Sequence, residues 1–145
     1  MIKVKEILNK KGGQFWSVTP ENSIFEALQL MADKDVGSVL VMNDNKLAGI
    51  FSERDYARKI VLRGLASKNT KVGDFMTKEV ICVQPDTEIN DCMAIMTNRH
   101  IRHLPVREAE SILGVISIGD VVNAYILQQH VTISDLENYI YGGRM

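Results

Sequence analysis

Apolar residues recur at helical spacing in two stretches of the chain that lie 65 residues apart (89 − 24). Positions i, i+3, i+4 and i+7 are Ile24, Ala27, Leu28 and Met31 in the first stretch, and Ile89, Cys92, Met93 and Met96 in the second. This spacing places the apolar side chains on one face, so each stretch is expected to form an amphipathic helix. Asn22 or Ser23 is expected to cap the first helix, and Thr87 the second.

Each predicted helix is followed by two short apolar runs that indicate a β-hairpin. The runs are 38–42 and 47–51 in the first half and 104–106 and 112–116 in the second, with turns at 43–46 and 108–111. A β-prone run also precedes each helix, at 15–18 and at 80–83, and is stopped by a proline. Each half is therefore predicted to run strand–helix–strand–strand–helix.

The second strand of each hairpin leads into a motif that occurs twice. Residues 49–55 and 114–120 both read glycine, two apolar residues, serine, two variable residues and aspartate. An ungapped alignment of 18–55 with 83–120 gives eight identities, which indicates an internal duplication. One unit of about 60 residues buries little core alone. Two units are therefore expected to pack through their sheets as a pseudo-twofold α+β module.

The Ser-x-x-Asp end of each motif predicts a helix N-terminus. Ser52 and Ser117 are expected to act as N-caps, with Asp55 and Asp120 at the third helical position. Such a start presents free N–H groups that suit an anion. The alternative is a capping box that only stabilises the helix, and for one copy alone that reading is favoured by roughly two to one because capping boxes are common.

The predicted helices differ in length and in what surrounds them. The helix after the first motif is expected to end at Gly64 with Tyr56, Ala57, Ile60 and Val61 inward, and the second to run from about Asp120 through Gln129. Short helices are expected around 3–9 and 72–76. In the tail, 132–137 resembles a new helix start, with a stripe of Leu136, Tyr139 and Ile140 that ends at Gly142-Gly143 and packs on the module or on a second chain.

Composition narrows the function classes. The 145 residues are 46% hydrophobic, and 17 basic against 18 acidic residues leave a net charge of −1, which argues against a nucleic-acid or membrane surface. Neither a signal peptide nor a spanning segment is expected. Cys82 and Cys92 occupy non-equivalent positions and indicate reduced thiols in a cytoplasmic protein. His100 and His103 lack partners at ligand spacing, so no metal site is expected.

The duplicated motif, the proline before each first helix and the Arg102–Val106 run resemble the CBS domain, here as a tandem pair, a Bateman module. The region around Ser52–Lys59 is similar to small stand-alone bacterial CBS-pair proteins. The resemblance assigns residues 1–70 to the first CBS motif, 71–130 to the second and 131–145 to a helical tail. It implies a regulatory module without catalytic activity.

The resemblance also implies a ligand and the residues that bind it. The ligand is an adenine nucleotide, AMP, ADP, ATP or NAD(H), or in some members S-adenosylmethionine, and Asp55 and Asp120 accept hydrogen bonds from the ribose hydroxyls. The other implied nucleotide-binding residues are Val18, Thr19, Ser52, Arg54, Val83, Arg102, His103, Ser117 and Gly119. Gln84 departs from the threonine usual at its position.

Several alternatives remain at this stage. The main one is a structural dimerisation or scaffold module with non-functional clefts; an enzyme is weakly supported because the sequence shows no nucleophile–base pair and no P-loop. A homodimer with an unknown effector protein is expected. The Asp55 cleft is expected to bind more tightly because Thr19 and Arg54 stand where the other cleft has Gln84 and Gly119. The competing possibility is that Gly119 admits a phosphate more closely.

Overall fold

A computed structural model describes residues 1–142. Gly143, the predicted end of the tail stripe, lies outside the described residues. The elements in chain order are α1 (Val4–Lys11), β1 (Ser17–Val18), α2 (Ile24–Lys34), β2 (Ser38–Asn43), β3 (Lys46–Ser52), α3 (Glu53–Asp55), a π-helix (Tyr56–Val61), a 3₁₀ turn (Ser67–Asn69), α4 (Val72–Phe75), α5 (Ile89–Arg99), β4 (His103–Glu108), β5 (Ser111–Ser117), α6 (Ile118–Glu137) and a second π-helix (Asn138–Gly142). The mixture of helices and strands confirms the α+β class.

The chain divides into two compact units, and each contains one copy of the motif. The first-motif unit comprises residues 14–81, and the second-motif unit comprises residues 1–13 together with the chain from Cys82 onward. The expected CBS boundaries, 1–70 and 71–130, divide the chain by sequence repeat and stay a prediction. α1 thus belongs to the compact unit of the second motif, whereas α4 belongs to that of the first.

The first-motif unit is built on a three-stranded sheet of order β1-β2-β3. β1 runs parallel to β2, and β2 pairs antiparallel with β3 as the predicted hairpin. Asp44 and Asn45 form its turn with positive φ values of 51° and 64°, a conformation that Asn and Asp adopt more readily than other non-glycine residues. The hydrophobic core of the unit is formed by Val18, Ile24, Ala27, Met31, Val39, Val41, Phe51, Ile60 and Val72.

The second-motif unit repeats the hairpin but not the first strand. β4 and β5 pair antiparallel, whereas the predicted strand at 80–83 is reduced to a single bridge between Val83 and Val106. The Gln84 N–H donates to Thr87 Oγ1 at 3.0 Å, as the Thr19 N–H does to Asn22 Oδ1 in the first-motif unit. The Thr87 hydroxyl is used in this bond and does not cap α5 as predicted; α5 starts after Glu88 without a side-chain cap. The Ser23 cap of α2 is confirmed.

Two helix predictions are wrong in their details. After α3 the chain continues as a π-helix in which Ile60 is buried, but Ala57 and Val61 are exposed. Hydrogen bonds from i to i+5 widen the turn, so the spacing of an α-helix no longer selects the inward positions. α6 does not end at Gln129 but continues to Glu137. The Thr132 hydroxyl bonds to the Gln128 carbonyl at 3.0 Å inside the helix instead of capping a new one.

Both units dock a short helix in the same way. The first backbone N–H groups of α1 and α4 donate to carbonyls near the proline of the unit, in the pairs Val4 to Thr87, Lys5 to Pro85, Val72 to Asn22 and Gly73 to Pro20. The motif glycines leave space for residues of these docked segments. A Cβ at Gly49 would lie 2.8 Å from the Thr77 carbonyl oxygen, and one at Gly114 would lie 2.9 Å from Leu8 Cδ2. The glycines of the motif therefore have a packing role.

Candidate functional site

Both Ser-x-x-Asp sequences form complete capping boxes at the start of a helix. The Ser52 N–H donates to Asp55 Oδ2 at 3.0 Å, and the Asp55 N–H donates back to Ser52 Oγ at 3.2 Å. The corresponding distances between Ser117 and Asp120 are 2.8 and 3.2 Å. The predicted caps are confirmed in both copies. In each box one carboxylate oxygen, Oδ2, accepts the hydrogen bond from the serine N–H at the helix start.

Asp55 is held by two further side chains. The Thr77 hydroxyl donates to Asp55 Oδ1 at 3.2 Å, and Lys59 Nζ lies 3.2 Å from the same oxygen. The Ser52 hydroxyl adds a bond of 3.1 Å to Oδ2. Lys59 also donates to the Phe75 carbonyl at 3.0 Å. Since the Asp55 side chain is only 15% exposed, this carboxylate is enclosed by its own unit.

Asp120 has a different partner, supplied by the end of α1. Lys11 Nζ lies 2.6 Å from Asp120 Oδ2 and donates to the Val115 carbonyl at 3.0 Å. Burial alone raises the pKa of Asp120, but hydrogen bonds from Lys11 and Ser117 outweigh it, and the pKa lies below its ordinary value. Asp120 is therefore ionised at neutral pH and faces a cation whose side chain is 39% exposed.

Two of the predicted basic residues belong to the same neighbourhood. His103 begins β4, and Arg102 anchors the motif through a bond from the Ile118 N–H to its carbonyl at 2.8 Å. Burial and the positive charges of Lys11 and Arg102 lower the pKa of His103, against the opposing charge of Asp120. We call Lys11, Arg102, His103 and Asp120 the Asp120 cluster. It combines an ionised carboxylate with two permanent cations and a neutral imidazole.

The remaining predicted site residues are Val18, Thr19, Arg54, Val83 and Gly119. Val18 and Val83 are buried in their units. Thr19 is exposed, but its N–H and its hydroxyl both bond to Asn22 Oδ1, at 2.7 and 3.1 Å. Arg54 and Gly119 are exposed in the first turn of α3 and of α6, one residue before each aspartate.

Sequence reasoning missed Lys11, Lys59 and Thr77. The i, i+4 spacing of Asp55 and Lys59 was a signal for their pairing, because such residues are neighbours on a helix surface. Lys11 reaches Asp120 across 109 residues, and Thr77 reaches Asp55 across 22. No local pattern indicates these two contacts.

A cavity of about 500 Å³ lies beside the first motif, between the end of α2 and the start of α3. Its lining residues are Leu28, Met31, Ala32, Asp35, Val36, Gly37, Glu53 and Tyr56. Its wall includes Glu53 next to the Ser52 cap, but not the Asp55 side chain. Within residues 1–142, no group of three His, Cys, Asp or Glu side chains is arranged to hold a metal ion. Over the same residues, no helix has both the length and the hydropathy needed to cross a bilayer.

The family model of the CBS domain matches the chain twice, at residues 4–62 and 72–127. The chain belongs to the CBS domain family. The predicted tandem pair is thereby confirmed. The chain is 38% identical to the mitochondrial CBS domain-containing protein CBSX3 of Arabidopsis thaliana, over 97% of this chain and 72% of the relative.

Solved CBS structures agree with this assignment. A CBS-domain protein of Burkholderia ambifaria is 41% identical and superposes with a TM-score of 0.84 over 88% of this chain and 96% of that one. The CBS domain pair of protein MJ0100, 19% identical, superposes with a TM-score of 0.76 over 88% and 98% of the two chains. At that identity the second likeness concerns the fold alone.

Proposed function

We propose that this protein is a regulatory module that binds an adenine nucleotide, AMP, ADP, ATP or NAD(H), and senses energy or redox state without catalysing a reaction. The observation that carries the proposal is the Asp120 cluster, in which an ionised carboxylate and cations lie together at a helix start. A carboxylate accepts bonds from two vicinal hydroxyls, and the cations suit a phosphate. The structure of the MJ0100 pair is a complex with 5′-methylthioadenosine and S-adenosylmethionine, which supports an adenosine-type ligand.

The binding roles follow from this chemistry. In the second-motif unit Asp120 takes the ribose hydroxyls, and Arg102 and His103 lie near the phosphate. Ser117 and Gly119 line the helix start, and the complete set includes Lys11 and Val83. In the first-motif unit the corresponding set is Val18, Thr19, Ser52, Arg54 and Asp55.

The cysteine environment argues against a nucleophilic enzyme. Burial raises the pKa of Cys92 to about 11, so its thiol is protonated at neutral pH. Burial also raises the pKa of Cys82, and the charge of Arg107 opposes that shift only in part. A protonated thiol is a poor nucleophile, and the lysines next to the motif aspartates are engaged in ion pairs. A binding role is therefore the better account of these groups.

A scaffold without a ligand is the second candidate. Its support is that both capping boxes are complete in the protein alone, so the motif aspartates already have a structural task. The two candidates differ in one measurable property, the binding of adenine ligands.

The test starts with protein denatured mildly so that any co-purified ligand can be identified by mass spectrometry. Ligand-free protein is then titrated calorimetrically with AMP, ADP, ATP, NAD⁺, NADH and S-adenosylmethionine, with GMP as the control. We expect at least one adenine ligand to bind and the double variant Asp55→Ala/Asp120→Ala to lose that heat. Absence of binding by every adenine ligand favours the scaffold.

We also propose that the protein forms a homodimer through an exposed stripe on α6. At 3.6 residues per turn, six apolar residues fall within a sector of about 100°. They are Ile118, Val122, Tyr125, Ile126, Ile133 and Leu136, each between 37 and 56% exposed. From Val122 to Leu136 the spacing alternates between four and three, with Gln129 in the central place, as in a coiled-coil seam. Such a seam is complementary to a second copy of itself.

Light scattering tests the dimer, and α6 supplies a matched control. We expect twice the chain mass of 16.3 kDa for the wild type and a monomer for Ile126→Lys. Val131, 54% exposed on the opposite side of the helix, is the control, and Val131→Lys is expected to stay dimeric. A monomeric wild type across a wide concentration range contradicts this proposal but leaves nucleotide binding open. For location, we retain the cytoplasmic prediction, and the signal is expected to pass to a separate effector protein.

A further inference from the structure

The Asp55 carboxylate has no acceptor capacity left in this structure. Four donors reach it: the Ser52 N–H and hydroxyl at Oδ2, and the Thr77 hydroxyl and Lys59 ammonium at Oδ1. A carboxylate offers about four lone-pair sites. A ligand diol that uses this aspartate must therefore displace donors that are already bound.

Asp120 is occupied only on one side. The Ser117 N–H and the Lys11 ammonium both reach Oδ2, at 2.8 and 2.6 Å. Among residues 1–142, no donor lies within hydrogen-bond distance of its Oδ1. The Ser117 hydroxyl adds a side-chain hydrogen bond that contributes least to the lowered pKa of Asp120. Because the Ser117 N–H and Lys11 are both held at Oδ2, Oδ1 stays open to the hydroxyls of a ribose. The same motif thus carries an open carboxylate in one unit and a closed carboxylate in the other.

We infer that Thr77 and Lys59 form a latch on Asp55 that must open before a ribose-type diol binds there, whereas Asp120 accepts such a diol directly. This inference rests on the proposed function and adds its regulation. It reverses the order of affinity expected from Thr19 and Arg54, because the donors already on Asp55 have to be released first.

The latch is tied to the chain that follows α4. The backbone of Thr77 pairs with Ile50 of β3 through two hydrogen bonds of 2.9 and 3.0 Å, and Lys59 also holds the Phe75 carbonyl. Gly49 admits this segment against the strand. Opening the latch removes the side-chain bonds that hold residues 75–77 to the motif. Ligand binding at Asp55 is therefore coupled to residues 75–77.

The first experiment needs no ligand. Amide hydrogen exchange is measured at Ile50 and Thr77 in the wild type and in Thr77→Val, which keeps the side-chain shape and removes the hydroxyl. Losing a hydrogen bond to a charged group should speed local opening about tenfold or more. Thr132→Val, which removes a hydroxyl from exposed α6, is the matched control and should leave both amides unchanged. Unchanged exchange at Ile50 and Thr77 in Thr77→Val overturns the latch.

The second experiment uses adenosine as the probe and 2′-deoxyadenosine as its control. Compared with the wild type, we expect the single variant Asp120→Ala to lose the tighter adenosine binding and the single variant Asp55→Ala to keep it. In the Asp120→Ala protein, adding Thr77→Val should tighten adenosine binding about tenfold. Unchanged or weaker binding overturns the latch. If adenosine binds nowhere and the nucleotide panel is also negative, the proposed function fails, and the exchange experiment alone decides the latch.

Discussion

α1 and α4 dock on their units through equivalent bonds, yet they leave opposite environments around the two motif aspartates. α1 continues as a helix to Lys11, whose ammonium reaches Asp120. α4 ends at Phe75, and the chain becomes extended at Met76 (φ −61°, ψ 155°), so that Thr77 reaches Asp55. The duplicated motif is the same in both units. The segment outside the motif determines whether its carboxylate is open or closed.

The lengths of the two helices have local causes. Gly73 lies inside α4, where glycine disfavours helix, and a Cβ there would lie 2.8 Å from Pro20 Cβ, so no larger residue fits. α1 has good helix formers and ends with Lys10 and Lys11 in its last turn, where cations favour the helix dipole. It stops at Gly12, whose φ of 93° suits glycine.

The largest expected effect is a loss of packing in the first-motif unit, which contains the closed carboxylate of Asp55. Gly49→Ala places a Cβ 2.8 Å from the Thr77 carbonyl oxygen, a backbone atom that cannot move away cheaply. We expect a loss of about 1–3 kcal/mol in the free energy of unfolding by denaturant. Gly114→Ala should also lose stability, because its Cβ would lie 2.9 Å from Leu8 Cδ2 and 3.3 Å from the backbone Gly13 Cα, at a φ of 159°. Unchanged stability of Gly49→Ala would contradict the packing role of this motif glycine.

A second prediction removes the cation of the open unit. Lys11→Met should weaken AMP binding about tenfold, because a charge-assisted bond to the phosphate is lost. Adenosine carries no phosphate, so its affinity should stay the same or rise as Asp120 is freed. Calorimetric titration of both ligands checks this. Lys5→Met is the control, because Lys5 lies on α1 but pairs with Asp86, away from the motif. An equal loss for AMP and adenosine would assign Lys11 a structural role only.

A smaller effect concerns pH and the open unit. Because the pKa of His103 is lowered in the folded protein, the unfolded chain binds its proton first, and stability falls as the pH drops below about 6.5. We expect about 1 kcal/mol or less between pH 7 and 5, absent in His103→Gln and retained in the His130→Gln control. Asp120 affects stability in a separate pH range. Because its pKa is lowered in the folded protein, the stability that it contributes is lost only as the pH falls below 3.8, the ordinary pKa of an aspartate. Urea unfolding from pH 7 to 5 measures the His103 effect, and extending it below pH 3.8 measures the Asp120 effect.

The smallest effect concerns the rate at which the two cysteines are alkylated, and both lie in the second-motif unit. Since burial raises the pKa of Cys92 to about 11, its thiol should resist alkylation by iodoacetamide at pH 8 in the folded protein. Cys82 is less buried and should react first. Mass spectrometry of the labelled protein gives the order. If Cys92 reacts as fast as Cys82 without denaturant, this unit opens more readily than its buried core implies.

The sequence alone determined the duplication, the hairpins, both capping boxes and the positions of Asp55 and Asp120. These features depend on residues close together in the chain, so periodicity and turn chemistry are sufficient to predict them. Local patterns did not predict which residues face inward in the π-helix after Asp55, because the spacing there is not that of an α-helix. They also predicted an end of α6 near Gln129, although no residue between Gln129 and Thr132 interrupts the helix.

Only the tertiary structure decided what each motif aspartate contacts. Lys11 and Thr77 approach Asp120 and Asp55 because the short helices α1 and α4 dock beside them, and the glycine–serine–aspartate motif itself contains no trace of that docking. A carboxylate is open or closed according to the donors that surround it in space. Those donors come from distant positions in the chain, so their contacts depend on how the helices and strands pack and not on the order of neighbouring residues.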